Sequence, residues 1–399
     1  MEPSSGIAPL PSTGRIAKTA GYYAGFLALG MTAASLGPTL PGLAAHTHAN
    51  IGEISFLFTA RALGYLLGSL RGGRLYDRLS GHLIQTIALL GMAAMMGLVP
   101  VLPILWVLAA ALTLLGFFEG TLDVGANTMI VWVHGEKVGP FMSALHFFFG
   151  VGAFLSPILI GQVILQSGDI NWAYWLIGLL LLPVAAVMSR LSSPPIPAHA
   201  DPQNAGKVST LLLGLFMVFF CLIVGVESSY GGWVYTYSRA VNLATDVTAA
   251  YLTSAFWGAL TLGRLLAIPI ATRVHPRWIL LACLLGCTAS VAAVLLFPGS
   301  FATLAAGSFG TGLFLSSLFP SAITLAGRHL PVSGRITGFF FVGASAGSMF
   351  FPWLIGQLFG PVGPSAVMLV ILALLGFALA DLAGLTTRLR MPQLAEDTE

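Results

Sequence analysis

Charge is what this sequence has least of. Asp, Glu, Lys and Arg together make up 8% of its 399 residues, against about 25% in a soluble domain. A soluble protein of this length could not cover its surface with so few. Cysteine is nearly absent: Cys221, Cys283 and Cys287 all sit in apolar runs, which excludes a disulfide framework and points to packed membrane thiols. No basic patch is interleaved with aromatics, so nucleic acid is not an expected partner. No signal-peptide pattern precedes the first apolar run. No His-Glu-x-x-His pattern or appended signalling domain is present, so neither an enzyme nor a receptor is expected. No cofactor is expected either.

What the sequence has is apolar length. Hydrophobic residues make up 57%, and the mean hydropathy is +0.91. Twelve apolar segments can be read: 16–45, 50–71, 82–101, 104–132, 139–166, 172–190, 208–237, 248–272, 277–297, 302–327, 334–359 and 364–386. At about 20 residues per crossing these need roughly 240 residues, leaving short loops. The runs are continuous rather than alternating, which excludes a transmembrane barrel. An all-α membrane protein of twelve transmembrane helices is expected, with the lipid bilayer as its surroundings.

Of the 17 Lys and Arg, fourteen fall on one side of this threading. Arg239 alone falls on the other, and Arg61 and Arg264 lie inside spans two and eight. The positive-inside rule then makes both termini cytoplasmic, in a multi-pass protein of the cell membrane. The longest polar stretch, around Pro194-Pro195, divides the chain. The expected organisation is a tail over 1–15, a six-helix bundle over 16–190, a linker over 191–207, a second bundle over 208–387 and a tail over 388–399.

The halves are related. Pro157, Leu159, Ile160, Gly161 and Gln162 recur as Pro352, Leu354, Ile355, Gly356 and Gln357, an offset of 195. The same offset carries Gly68 to Gly263, Arg78 to Arg273 and Gly152 to Gly347. These are parallel six-helix repeats, an architecture that puts a substrate site between the halves near mid-membrane. The two repeated glutamines read as packing or gating residues.

The acids break the symmetry. Glu119, Asp123 and Asn127 share one face of span four at i, i+4, i+8 and have no counterparts in span ten. An acid inside a membrane must pair, stay protonated or face water. Arg61 in span two cannot lose its proton and needs a carboxylate. Spans two and four are neighbours in the fold that the loop motif after span two implies by resemblance, so Glu119 is the expected partner, leaving Asp123 to titrate. Glu227 in span seven lies beside Gly231-Gly232, which are expected to loosen that helix. It is a candidate for accepting substrate hydroxyls, joining a sodium site or pairing with Arg264.

After span two the chain reads Gly68-Ser-Leu-Arg-Gly-Gly73-Arg-Leu-Tyr-Asp77-Arg78-Leu-Ser-Gly81. This resembles the loop signature of the major facilitator superfamily, with one extra residue before the final Gly and His82 where an Arg is usual. The resemblance implies the major facilitator fold over essentially the whole chain. It also implies a gating role for Gly73, Asp77 and Arg78. Leu122-Asp-Val-Gly-Ala-Asn127 and Ala144-Leu-His146-Phe-Phe-Phe-Gly150 are similar to spans four and five of fucose:proton symporters. There the acid couples transport to a proton, and a sugar-binding Gln occupies the place of His146. Those symporters carry a second acid in span one, where this chain has only Thr32, Ser35 and Thr39. Gly37-Pro-Thr-Leu40, Gly225-Val-Glu227 through Trp233, and Phe256-Trp257-Gly through Gly263-Arg264 look closer to the sodium-dependent glucose transporter-like branch.

A cation-coupled symporter of a monosaccharide such as a hexose is therefore expected, monomeric as is the family's default. The proton is favoured as the coupling ion, with sodium the alternative. Coupling is assigned to Asp123, Glu119 and Arg61. Substrate binding is assigned to Asn127, His146, Glu227, Tyr230, Trp233, Trp257 and Arg264. The competing expectation is an efflux carrier for amphipathic drugs or lipids.

Overall fold

The computed structural model describes residues 12–195, 209–330 and 334–396, and the described residues are helical with no strand. The segments expected as spans form in order. Span one is broken, with Ser12–Ala33 bending by 46° into Leu36–His46. Span two comprises Ile51–Ile54 and Phe56–Tyr76. Spans three to six are Gly81–Leu98, Leu105–His134, Val138–Ser167 and Asn171–Arg190. Spans seven to nine are Thr210–Ala240, Asp246–Ala271 and Pro276–Leu296. Span ten is interrupted between Phe301–Leu315 and Leu318–Gly327. Span eleven is Gly334–Val362 and span twelve Ala366–Glu396.

Among the described residues nine helical runs are long and apolar enough to cross a bilayer, or ten when the bent pair counts as one crossing. One of them, Leu105–Ser167, contains spans four and five together. Span two has membrane length, but Arg61, Arg71 and Arg74 reduce its apolarity. The expected tails and linker fall largely outside the described residues. Within them, helix already begins at Ser12 and the last helix continues to Glu396, past the expected boundary.

In lipid, helices associate through close packing of small residues rather than by the hydrophobic effect. Spans two and four illustrate this. Gly64 and Gly68 of span two lie against the carbonyls of Thr113 and Phe117, while Gly116 and Gly120 of span four lie against those of Arg61 and Tyr65. A methyl group at any of the four would overlap backbone. Gly116→Val is therefore expected to lose about 3 kcal/mol or more through overpacking, read as a lowered melting temperature in detergent. An unchanged melt would contradict this interdigitation.

The repeat reappears in the packing. Gly152 of span five meets the Leu27 carbonyl of span one, and Gly347 of span eleven meets the Cys221 carbonyl of span seven. Gly68 meets Phe117 of span four, and Gly263 meets Leu313, in the first segment of span ten. Residues 195 apart thus make equivalent contacts in the two halves.

Several hydrogen bonds between the halves lie at the end opposite the termini. Gln162 of span five bonds the Tyr251 hydroxyl of span eight at 2.6 Å. The Gln357 amide of span eleven donates to the Gly52 carbonyl at 2.8 Å and reaches the Ser55 hydroxyl at 3.3 Å. Ser55 in turn donates to the Trp353 carbonyl and Thr59 to that of Met349. The repeated glutamines both bridge the halves from equivalent positions. Arg239, the lone basic residue at this end in the sequence threading, is paired with Asp246 at 2.8 Å.

Candidate functional site

The close approach of spans two and four builds two polar rungs across one helix pair. In the first, Arg61 Nε meets Glu119 Oε2 at 2.9 Å and the guanidinium tip meets Oε1 at 2.5 Å. The same guanidinium donates to the carbonyls of Thr32 at 2.7 Å and Ala33 at 3.2 Å. Those carbonyls border the break in span one, so Arg61 satisfies backbone groups at the interruption as well as the acid. Both side chains are buried.

One turn along both helices, about 6 Å, the Tyr65 hydroxyl donates to Asp123 Oδ2. The Asn127 amide donates to Asp123 Oδ1 at 2.9 Å and to its backbone carbonyl at 3.0 Å. The first rung is an ion pair; the second is a carboxyl held by neutral donors. Asn127, expected to bind substrate, thus spends its amide hydrogens on Asp123. Tyr65 is not among the candidates the sequence offers, although the separation of 58 residues between Arg61 and Glu119 also joins Tyr65 to Asp123.

A second polar group is carried by spans five, seven and eight, which pack through span eight. Arg264 of span eight lies within electrostatic reach of Glu227 of span seven and of His146 of span five. Glu227 and Arg264 form no ion pair, so the satisfied pair considered from the sequence is not made. His146 is edge-on to Phe26 with ring centroids 5.6 Å apart. Trp257 lies against Gly231, and its indole N–H is buried without a partner. These four side chains come from spans five, seven and eight.

Two expected sugar-binding aromatics serve packing in this conformation. Trp233 is fully buried, donates to the Pro352 carbonyl at 3.0 Å and stacks on Phe359. Tyr230 is fully buried, bonds the Ser308 hydroxyl at 3.0 Å and stacks on Phe256. The expected loosening of span seven is also corrected, since Thr210–Ala240 is continuous helix. The break lies in span one instead. Gly231 and Gly232 provide close approach there: Gly37, just past the break, sits on their carbonyls. In the loop motif, Gly72 packs on Thr121, while Gly73 has open space around it. Asp77 and Arg78 are exposed at the end of span two.

The sequence matches a known family. The family model of the Major Facilitator Superfamily matches residues 22–251, and the chain belongs to that superfamily: it is a transporter rather than an enzyme. Among its relatives, sodium-dependent glucose transporter 1 of Danio rerio is 35% identical over 378 residues, covering 85% of this chain and 64% of that protein. The Homo sapiens protein of the same name is 32% identical over 375 residues, covering 84% of this chain and 72% of that one. Major facilitator superfamily domain-containing protein 4A of Homo sapiens is 26% identical, covering 86% of each. Among solved structures, the nucleoside transporter NupG matches with a TM-score of 0.76 at 12% identity, covering 93% of this chain and 99% of that one. An inward-facing, unoccupied bacterial homolog of the human lysosomal transporter Spinster matches with a TM-score of 0.71 at 14% identity, covering 95% and 97%. These two likenesses concern the fold.

Proposed function

We propose that the protein is a cation-coupled symporter of a monosaccharide such as a hexose. Its two six-helix halves rock to expose one central site to each side in turn. The observation that carries this reading is the separated charge pair. An acceptor, Glu227, and a donor, Arg264, stand on the packed spans seven and eight and make no ion pair with one another. A sugar hydroxyl both donates and accepts, so a hydroxyl or vicinal diol bridges the two where a direct ion pair would exclude it. His146 and the free indole N–H of Trp257 add further polar contacts. The relatives named sodium-dependent glucose transporter 1 support the same class of substrate.

Asp123 is the coupling acid in this reading. Glu119 has both oxygens engaged by Arg61, which has no neutral form available. Asp123 has neutral partners and is free to change charge. A single titratable carboxyl suffices for a proton, which remains the favoured ion. Sodium is the second reading, favoured by the relatives' name. The positive side of the chain makes both termini cytoplasmic in the cell membrane. The glutamine bridges then close the outer side of a monomer with bundles at 16–190 and 208–387.

Glucose binding to the purified protein, followed by tryptophan fluorescence, tests the sugar site. Glu227→Gln and Arg264→Gln are each expected to weaken binding by about tenfold or more, the scale of a lost charge-assisted hydrogen bond. Equal affinity in wild type and both variants would remove this pair from the site.

A further inference from the structure

We propose that Tyr65 is the positioning residue of Asp123, its hydroxyl donating to the carboxylate and reversing to accept when the acid takes up a proton on Oδ2. The inference deepens the coupling role given to Asp123 and rests on that reading for its consequence in transport. Its own basis is the contrast between the two rungs.

Both rungs join spans two and four across the same sequence separation, one helical turn apart. Their partners differ in what they can do. The guanidinium of Arg61 has donors only. A proton arriving on Glu119 would face N–H groups on both oxygens and would have to break one of those bonds. The Tyr65 hydroxyl carries both a donor and acceptor lone pairs on one rotor. On Asp123, Oδ1 is taken by the Asn127 N–H, which likewise only donates. Oδ2 is therefore the oxygen that can be protonated while keeping its partner. A proton from water adds to Oδ2, and the new O–H donates to the tyrosine oxygen. The phenol's own hydrogen rotates away, and no bond within the tyrosine breaks. The acid passes between charged and neutral forms without being left unsatisfied, which in a buried setting is otherwise costly.

The backbone keeps Tyr65 in register for this exchange. Its amide nitrogen lies against Gly116 and its carbonyl against Gly120, so span four fixes the residue on both sides. The titratable and charged groups around the acid are Arg61, Tyr65 and Tyr76 of span two and Glu119 of span four. On the neighbouring elements, His146 of span five lies edge-on to Phe26, and Tyr22 of span one bonds His82. Tyr76 is directed elsewhere, donating to the Thr121 carbonyl at 3.1 Å. Among these groups the contact to Asp123 Oδ2 is made by Tyr65.

Infrared difference spectroscopy of the full-length protein in lipid nanodiscs, titrated with pH, tests the proposal. The samples are wild type, Asp123→Asn and Tyr65→Phe. The expected result is a carboxylic C=O band that is absent in Asp123→Asn. In Tyr65→Phe the band is retained but moves to higher frequency, with its pH midpoint displaced by about one unit, tenfold in proton concentration. A purely packing role for the tyrosine would alter the melting temperature and leave the band in place. An unchanged band in Tyr65→Phe overturns the proposal, as does the absence of any Asp123 band across the titration. If the band responds to Tyr65 while Asp123→Asn still accumulates sugar normally, the hydroxyl exchange stands and the coupling role of Asp123 fails.

Discussion

Arg61→Met is expected to cost about 3–5 kcal/mol of stability, the scale on which breaking a buried pair strands the remaining charge. The loss reaches three acceptors at once. Glu119 loses both of its contacts with the guanidinium, and the carbonyls of Thr32 and Ala33 lose the donor that satisfies them at the break in span one. Glu119→Gln removes the carboxylate but leaves the guanidinium its two carbonyls, so it is expected to be the milder single change. The double variant Arg61→Met with Glu119→Leu removes both charges and is expected to recover much of the loss, leaving the exposed carbonyls as the residual cost. A double-mutant cycle of melting temperatures reads this directly. Single variants within about 1 kcal/mol of wild type, the range of an exposed pair, would show that the rung does not hold span one.

Asp123→Asn is expected to abolish ion-driven accumulation of sugar while leaving exchange within about threefold of wild type, since the amide keeps the shape but cannot change charge. The separation of the two readouts matters. A variant that failed to bind sugar would lose exchange as well, whereas one that has lost only its coupling still equilibrates sugar down its gradient. The Tyr65 and Asn127 contacts bear on the same point. An asparagine at 123 can keep its carbonyl oxygen on the Asn127 amide and donate its own N–H to the tyrosine oxygen, so local packing survives. Equal accumulation by the variant and wild type would move coupling elsewhere, Glu227 being the next acid in the central region.

Much of this architecture was legible in the sequence because lipid imposes it. Apolar length located the spans, and the offset of 195 exposed the repeat whose glycines make equivalent contacts in both halves. The pairing of Arg61 with Glu119 followed from the need of a guanidinium for an anion together with the neighbouring of spans two and four that the family resemblance implies. What the sequence hid was the rotation of each helix about its axis and the use of each polar atom. Trp233 and Tyr230 look like sugar platforms by composition. Yet Trp233 spends its N–H on a carbonyl 119 residues away, and Tyr230 spends its hydroxyl on Ser308. Gly231-Gly232 reads as a helix breaker in isolation. In the fold it is a smooth face for Gly37 and Trp257 to approach, and the neighbouring break belongs to Ala34-Ser35. Tyr65 was recoverable in principle: once Arg61 and Glu119 pair, the residues one turn along both helices must also meet.

The central claim, cation-coupled transport of a monosaccharide, is tested most directly by labelled glucose uptake into proteoliposomes. Uptake is compared under an inward proton gradient without sodium, an inward sodium gradient at equal pH, and neither. Accumulation above the equilibrium level is expected under the proton gradient and is abolished by a protonophore. Accumulation under sodium alone would keep the symporter and exchange the ion. Glucose and other hexoses entering no faster than into protein-free vesicles, in all three conditions, would contradict it.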